Sequence, residues 1–272
     1  MTCMVHRLDV LRISRFNLSS LIIGYAFLYI PVLFLIFCSF NASRNPGIWE
    51  GFSLKWYGEL FKNPYLLISI ANSLKIAFMS ASIATFLGTI SAIIHIRFQP
   101  FATRQVMSGF LMIPLATPDV IMAFSILLVL RFFHQEFGFP KSLGMATIVI
   151  AHTTLFISHV YMMIHNRLRD FDMTLEEAAL DLGATPVQVF LRITLPVISP
   201  AIFSSWLLAF ALSLDDIVLA SFLSGPGSTT LPILIFSQIR MGITPSINAL
   251  ATLLTASLSI LMLFFVVSRN RK

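Results

Sequence analysis

Six stretches of this chain are each long and apolar enough, at about 20 residues, to cross ~30 Å of hydrocarbon as a helix. They are 18–40, 65–94, 106–129, 145–164, 198–220 and 247–267. Each is too long for an ordinary core strand. Lipid offers no partner to a backbone N–H or C=O, so only helices or closed barrels cross it. Barrel strands alternate in polarity over about 10 residues, and these stretches do not. The predicted fold class is an all-α integral membrane protein with six transmembrane helices. Composition excludes the soluble alternative. Charged residues are 11% of the 272, and mean hydropathy is +0.88, against about 25% charged in soluble domains.

The net charge of +6 comes without any dense basic run. Nucleic-acid binding is a poor reading of it, and topology signalling a better one. The first stretch follows a basic region, but its apolar length exceeds the 7–15 residues of a signal core. It reads as an uncleaved anchor. With the N-terminus inside, the inside segments 1–17, 95–105, 165–197 and 268–272 carry 11 Lys+Arg, and the outside segments 41–64, 130–144 and 221–246 carry 6. The bias predicts both termini cytoplasmic. The chain divides into a cytoplasmic segment 1–17, a first helix 18–40, an external loop 41–64, a five-helix core 65–267 and a tail 268–272. The two cysteines, Cys3 and Cys38, make neither a disulfide framework nor a metal site.

The longest inside segment, 165–197, reads as built structure. Thr174-Leu-Glu-Glu177 matches a capping box, with Thr174 at N-cap and Glu177 at N3. Leu175, Ala178, Ala179 and Leu182 then form one apolar stripe, and Gly183 suits the end of the helix. Thr185, Pro186 and Gln188 make a second box, with Leu195-Pro196 closing that helix before the fifth membrane helix. Two readings stay open: a pair of helices lying on lipid, or a docking knob for a cytoplasmic partner. The rim acids Asp170, Asp172, Glu176, Glu177 and Asp181 disfavour an anionic lipid surface, where Lys and Arg are usual.

Glu177-Ala178-Ala179, then Gly183, Ile193 and Leu195-Pro196 resemble the EAA loop of ABC importer permeases. The resemblance covers about 65–267, starting near Ala71-Asn72-Ser73-Leu74. It implies a type I permease fold. It also implies that an ATP-binding subunit docks on the loop, with Glu177 as polar contact, Ala178 and Ala179 as the packed face and Gly183 as hinge. Leu115-Ala116-Thr117-Pro118-Asp119, Ser213-Leu214-Asp215-Asp216, Thr230-Leu231-Pro232 and Gly242 through Ala249 resemble the polyamine branch, in its second membrane subunit of a spermidine/putrescine importer. Ile217 departs from it, standing where an aromatic residue is expected. Permeases for iron, thiamine or phosphonates share much of this pattern. The implied partners are a second permease, an ATPase dimer and an external solute-binding protein, in a bacterial inner membrane. The chain itself would bind no cofactor, since ATP belongs to the partner.

Ionisable groups in a bilayer tend to face a cavity or a partner. Asp119 lies 13 residues into its stretch, about 20 Å along a helix and so near mid-membrane. Pro114 and Pro118 just before it predict a broken helix lining a cavity. Thr117 as the N-cap of a restarted helix is the compatible bland reading. Asp215 and Asp216 fall near the outer end of the fifth stretch and point about 100° apart. One is expected on a cationic substrate path with Asp119, the other as a cap or pairing group. His152 reads as hydrogen-bonded packing or a relay, Trp206 as packing, Lys75 as snorkelling, and Trp49, Trp56 and Tyr57 as interfacial belt residues.

No G-x-x-x-x-G-K-[ST] occurs, so ATP must be hydrolysed elsewhere. An intramembrane protease lacks its motifs: G-x-S-x-G and H-E-x-x-H are absent. A channel or autonomous secondary transporter would leave the two-helix loop unexplained.

Overall fold

The computed structural model describes residues 15–44, 48–97, 101–242 and 245–269. Cys3, the basic residues before Arg15, and Ile243 and Thr244 of the motif at 242–249 lie outside them. Among the described residues the structure is almost wholly helical, with one isolated antiparallel bridge from Asn41 to Phe52. The helices are α1 (Arg15–Ser39), α2 (Lys55–Lys62), α3 (Pro64–Arg97), α4 (Phe101–Ala116), α5 (Asp119–Phe137) and α6 (Met145–Arg169). They continue with α7 (Thr174–Asp181), α8 (Pro186–Val189), α9 (Leu195–Asp215), α10 (Val218–Leu223), α11 (Leu231–Met241) and α12 (Pro245–Arg269). Five spans are long and apolar enough to cross a membrane: Asn17–Ser39, Pro64–Arg97, Asp119–Phe137, Met145–Arg169 and Pro186–Asp215. The helix α12 covers the sixth expected stretch.

The chain forms two compact units, residues 1–64 with 237–272, and residues 65–236. In the first, α1 and α2 pack against α12. The segment after α1 is organised by Asn41. Its Nδ2 donates to the Ile48 carbonyl at 2.7 Å, and its Oδ1 accepts from the Ser43 and Glu50 N–H groups. Trp56 is buried rather than at the belt: its indole N–H donates to the Asn41 carbonyl at 2.7 Å. Trp49 remains half exposed, stacked on Phe37. The Tyr57 hydroxyl sits 2.7 Å from Ser39 Oγ.

In the second unit α6 is the central helix. Its apolar window is 67% buried, against 11% for α5 and 22% for the span 186–215. Ile148, Ala151, Val160, Tyr161 and Ile164 are fully buried along it. On α3, Ala84, Gly88 and Ala92 are buried at four-residue spacing, with Ala77 and Ala81 buried before them, and Gly88 faces Val160 of α6. Membrane helices associate by such small residues because their backbones can approach closely. A Cβ built on Gly88 would lie 2.7 Å from Val160 Cγ1. Trp206 packs as expected, stacked on Phe210 with its N–H donating to Ser82 Oγ at 3.2 Å.

Two of the six stretches are broken, the third as its prolines predict and the fifth without a proline at the break. The third stops at Ala116 and restarts at Asp119, because Pro118 has no N–H to donate and disfavours helical geometry in the residue before it. The fifth stops at Asp215; Asp216 is extended at φ −69°, ψ 126°, and α10 follows.

Candidate functional site

The two breaks meet. A cavity of about 430 Å³ is lined by Pro114, Leu115, Thr117 and Asp119 from the first break. Leu155, Phe156 and His159 of α6 form its back. Leu212, Asp215, Asp216, Ile217 and Val218 come from the second break. Its volume lies in the ordinary range for small-molecule sites. All three acids singled out from the sequence therefore line one cavity.

Asp215 and Asp216 are not inside a continuous helix: α9 ends at Asp215, and α10 continues the path from Val218. Asp216 lies against His152 of α6, a helix that runs from 145 to 169.

The three carboxylates are not equivalent. Asp216 is committed to the protein. Its Oδ2 accepts from the Ala220 N–H at 2.8 Å and its Oδ1 from the Leu219 N–H at 3.4 Å, satisfying the first free donors of α10. Asp216 Oδ2 also lies 3.1 Å from His152 Nε2. His152 is 1% exposed, and its Nδ1 is 2.7 Å from Ser213 Oγ. Both ring nitrogens are thus engaged, as the hydrogen-bonded packing reading of His152 expects. Asp119 and Asp215 differ: among the described residues neither makes a hydrogen bond or ion pair, and both are exposed to the cavity side. Thr117 does not cap α5. Its hydroxyl turns back to the Ile113 carbonyl at 2.8 Å, and Pro118 occupies the N-cap position. Asp119 stands in the first turn, where the helix dipole favours a negative charge. Ile217 lines the cavity and offers no ring face; Phe156 is the aromatic wall.

The motif residues quoted from the sequence without a physical role now acquire one. Asn72 Nδ2 donates to the Gly227 and Thr229 carbonyls at 2.9 and 3.2 Å, and Ser73 Oγ accepts from the Leu231 N–H at 2.8 Å. Thr147 Oγ1 donates to the Leu223 carbonyl at 2.7 Å. The return from α10 to α11 is pinned to α3 and α6, which holds the extended Asp216 in place.

The loop between α6 and α9 follows the sequence reading at one end and departs from it at the other. Thr185 and Gln188 form the expected box, with bonds of 3.4 and 3.0 Å. Gly183 has φ +86°. Its N–H bonds to the Leu180 carbonyl at 2.9 Å, and Ala184's to Ala179's at 3.0 Å, a Schellman closure. The box at Thr174–Glu177 is absent: α7 begins with Met173 at N-cap, and Asp172 accepts from the Thr174 hydroxyl at 2.8 Å and N–H at 3.0 Å. Those bonds hold the Asp172 carboxyl below its ordinary pKa, the hydroxyl first and the N–H second. A carboxylate lowered in the folded state contributes fully at neutral pH and loses its contribution only as pH falls through that lowered value. Nor do Leu195-Pro196 close a separate helix. Residues 186–215 run continuously through a π-turn, Phe190–Thr194, in which Ile193 lies half-buried. Pro196 follows it, where the wider turn gives the ring room.

The faces of α7 are also redistributed. Leu175, Ala178 and Leu182 point out, Leu182 at 89% exposed, and Glu177 is exposed beside them; Ala179 is half-buried. Glu176, expected on the rim, is the buried residue, paired with Arg97 and Thr194. Sequence spacing carries no signal for this, because its partners lie 79 and 18 residues away.

Comparison with known proteins decides the class. Residues 84–272 match the family described as binding-protein-dependent transport system inner membrane component. The chain belongs to that family. It is 45% identical over 270 residues to the putrescine transport system permease protein PotI of Escherichia coli strain K12, covering 98% of this chain and 96% of that one. It is 40% identical over 260 residues to the spermidine/putrescine transport system permease protein PotC of Haemophilus influenzae, covering 94% and 98%. Its fold matches a chain of a bacterial ABC transporter that imports alginate, with TM-score 0.70, 18% identity and 93% of both chains covered. The MetNI methionine ABC transporter matches at TM-score 0.57 and 17% identity, over 80% and 98%. The chain is thus a bacterial inner-membrane transport component with the all-helical fold of ABC importer membrane subunits, and not an enzyme.

Proposed function

We propose that this chain is the membrane-spanning permease subunit of an ABC importer that moves polyamines, putrescine and spermidine, across the inner membrane. Its cavity carries the reading. Asp119 and Asp215 are carboxylates that line it with no Lys or Arg in its lining and no ion pair among the described residues. Unpaired charges there are costly, and a passing ammonium group is the partner they fit. Attraction across a low-dielectric cleft is strong, and Phe156 adds a ring face for a cation. Asp216 is the positioning member, fixing α10 and His152. The polyamine names of PotI and PotC point to the same substrate class.

Energy comes from a separate ATP-binding subunit dimer docked on α7. The outward face Leu175, Ala178 and Leu182, with Glu177 as polar contact, is the docking surface; Gly183 sets the angle to α8, and Ile193, Leu195 and Pro196 join it to α9. A second permease and an external binding protein complete the importer. Tilting of the two permeases gives alternating access.

The test is ATP-dependent uptake of labelled putrescine and spermidine by vesicles holding the full partner set. Asp119→Asn and Asp215→Asn are each expected to lower uptake by about tenfold or more, as removal of one member of a buried charge pair does, with assembly intact. Glu177→Arg is expected to release the ATPase. Normal uptake in both Asn variants would remove the cavity from the path.

A further inference from the structure

We infer that Glu176 is a positioning residue that clamps α7 to the cytoplasmic-loop ends of α3 and α9, so that movement of α7 reaches the cavity. This rests on the reading that α7 receives the ATPase. Glu176 lies on the opposite side of α7 from the docking face and is 7% exposed. Its Oε1 accepts from Arg97 Nη2, at the last residue of α3, and from the Thr194 hydroxyl. Arg97 Nη2 also donates to Thr194 Oγ1 at 3.1 Å, and its guanidinium carbon lies 5.9 Å from the centre of the Phe190 ring. One carboxylate oxygen thus joins three elements.

Stability is a weak reason for such a junction. A buried ion pair loses much of its attraction to desolvation, and an apolar replacement is often as stable. Directional bonds supply what apolar contact does not: a fixed position of one element against another. Thr194 closes the π-turn, the one place where the helix 186–215 departs from α geometry, and such turns mark points where a helix changes register. From Thr194, α9 runs unbroken for 21 residues, about 30 Å, to Asp215 at the cavity. A pull on α7 therefore acts on a lever whose far end carries Asp215, the carboxylate proposed to meet the substrate's ammonium group.

The complete importer in vesicles tests this with Thr194→Val, which removes only the hydroxyl, Thr194→Ser, which restores it, and Glu176→Gln. ATP hydrolysed and putrescine taken up are measured on the same vesicles, per assembled complex. We expect hydrolysis to persist while uptake per ATP falls about twofold to thirtyfold in the Val and Gln variants, the range for residues on a coupling path, and Ser to recover it. Uptake and hydrolysis falling together, or Ser failing like Val, would reduce the junction to a structural staple and overturn the inference. A substrate-independent readout separates the two claims: labelling of Ile217→Cys, in a background with Cys3 and Cys38 replaced by serine. If nucleotide alters that labelling in the otherwise unchanged importer but no polyamine enters, the substrate reading fails. The clamp is then judged on labelling alone: loss of the response in Thr194→Val supports it, and an undiminished response overturns it.

Discussion

Gly88 shows how much one absent methyl decides. A helical Gly→Ala change ordinarily gains about 1 kcal/mol of propensity. At Gly88 the new Cβ would meet Val160 Cγ1 and Cβ at 2.7 and 2.8 Å and the Ile157 carbonyl at 3.1 Å. A β-branched side chain on a helix has one favoured rotamer and cannot swing aside, and a carbonyl cannot move without the helix. Overpacking of this kind costs about 1–3 kcal/mol, so Gly88→Ala is expected to destabilise the protein. Gly24→Ala, with open space at its Cβ, serves as the control and is expected to be neutral or stabilising. Thermal unfolding of both in detergent checks the pair. The same scale separates the cavity acids. Asp215 and Asp216 are neighbours in sequence, yet one faces open space and the other is bound to two N–H groups and a histidine.

Among the elements, the loop between α6 and α9 shows what local chemistry can and cannot specify. Thr185, Pro186 and Gln188 form their cap because every partner lies within three residues. Gly183 closes α7 for the same reason: a left-handed residue is needed at that point and glycine adopts it without a Cβ penalty. Since nothing lies within 4 Å of a Cβ there, Gly183→Ala isolates the backbone cost, about 1–2 kcal/mol. Amide exchange across 178–184 is expected to speed up in that variant, with the rest of the chain unchanged. Thr174 failed as a cap because Asp172, two residues upstream, takes its hydroxyl and its N–H, and the Glu177 N–H bonds to the Met173 carbonyl instead. The π-turn was not legible either. Residues 190–194 have ordinary helical composition, and the turn is held open by Thr194's distant partners and by Pro196 behind it.

At the scale of the whole molecule, charge bias predicts both termini and the loop 165–197 on one side of the membrane. Cysteines at Leu182 and Leu54, both exposed, test it. A membrane-impermeant thiol reagent is expected to label the Leu54 variant in intact cells and the Leu182 variant only in inverted vesicles. Labelling of both from one side would refute the topology.

The sequence by itself determined the solvent, the number of long helices and most of their spans. Hydrophobic length and backbone satisfaction in lipid are properties of consecutive residues. It also marked the break at Pro118, since proline acts on its own neighbours; the break at Asp216, with no proline beside it, carried no such signal. Only the tertiary structure decided that the two breaks meet, that Asp215 rather than Asp216 remains open, and that Glu176 turns inward. Those outcomes depend on Ser213, Asp216 and Arg97, which stand 61, 64 and 79 residues from the groups they bind. No periodicity spans such distances; packing of α3, α6 and α9 brings the groups together, and the hydrogen bonds then fix which side chain each carboxylate serves.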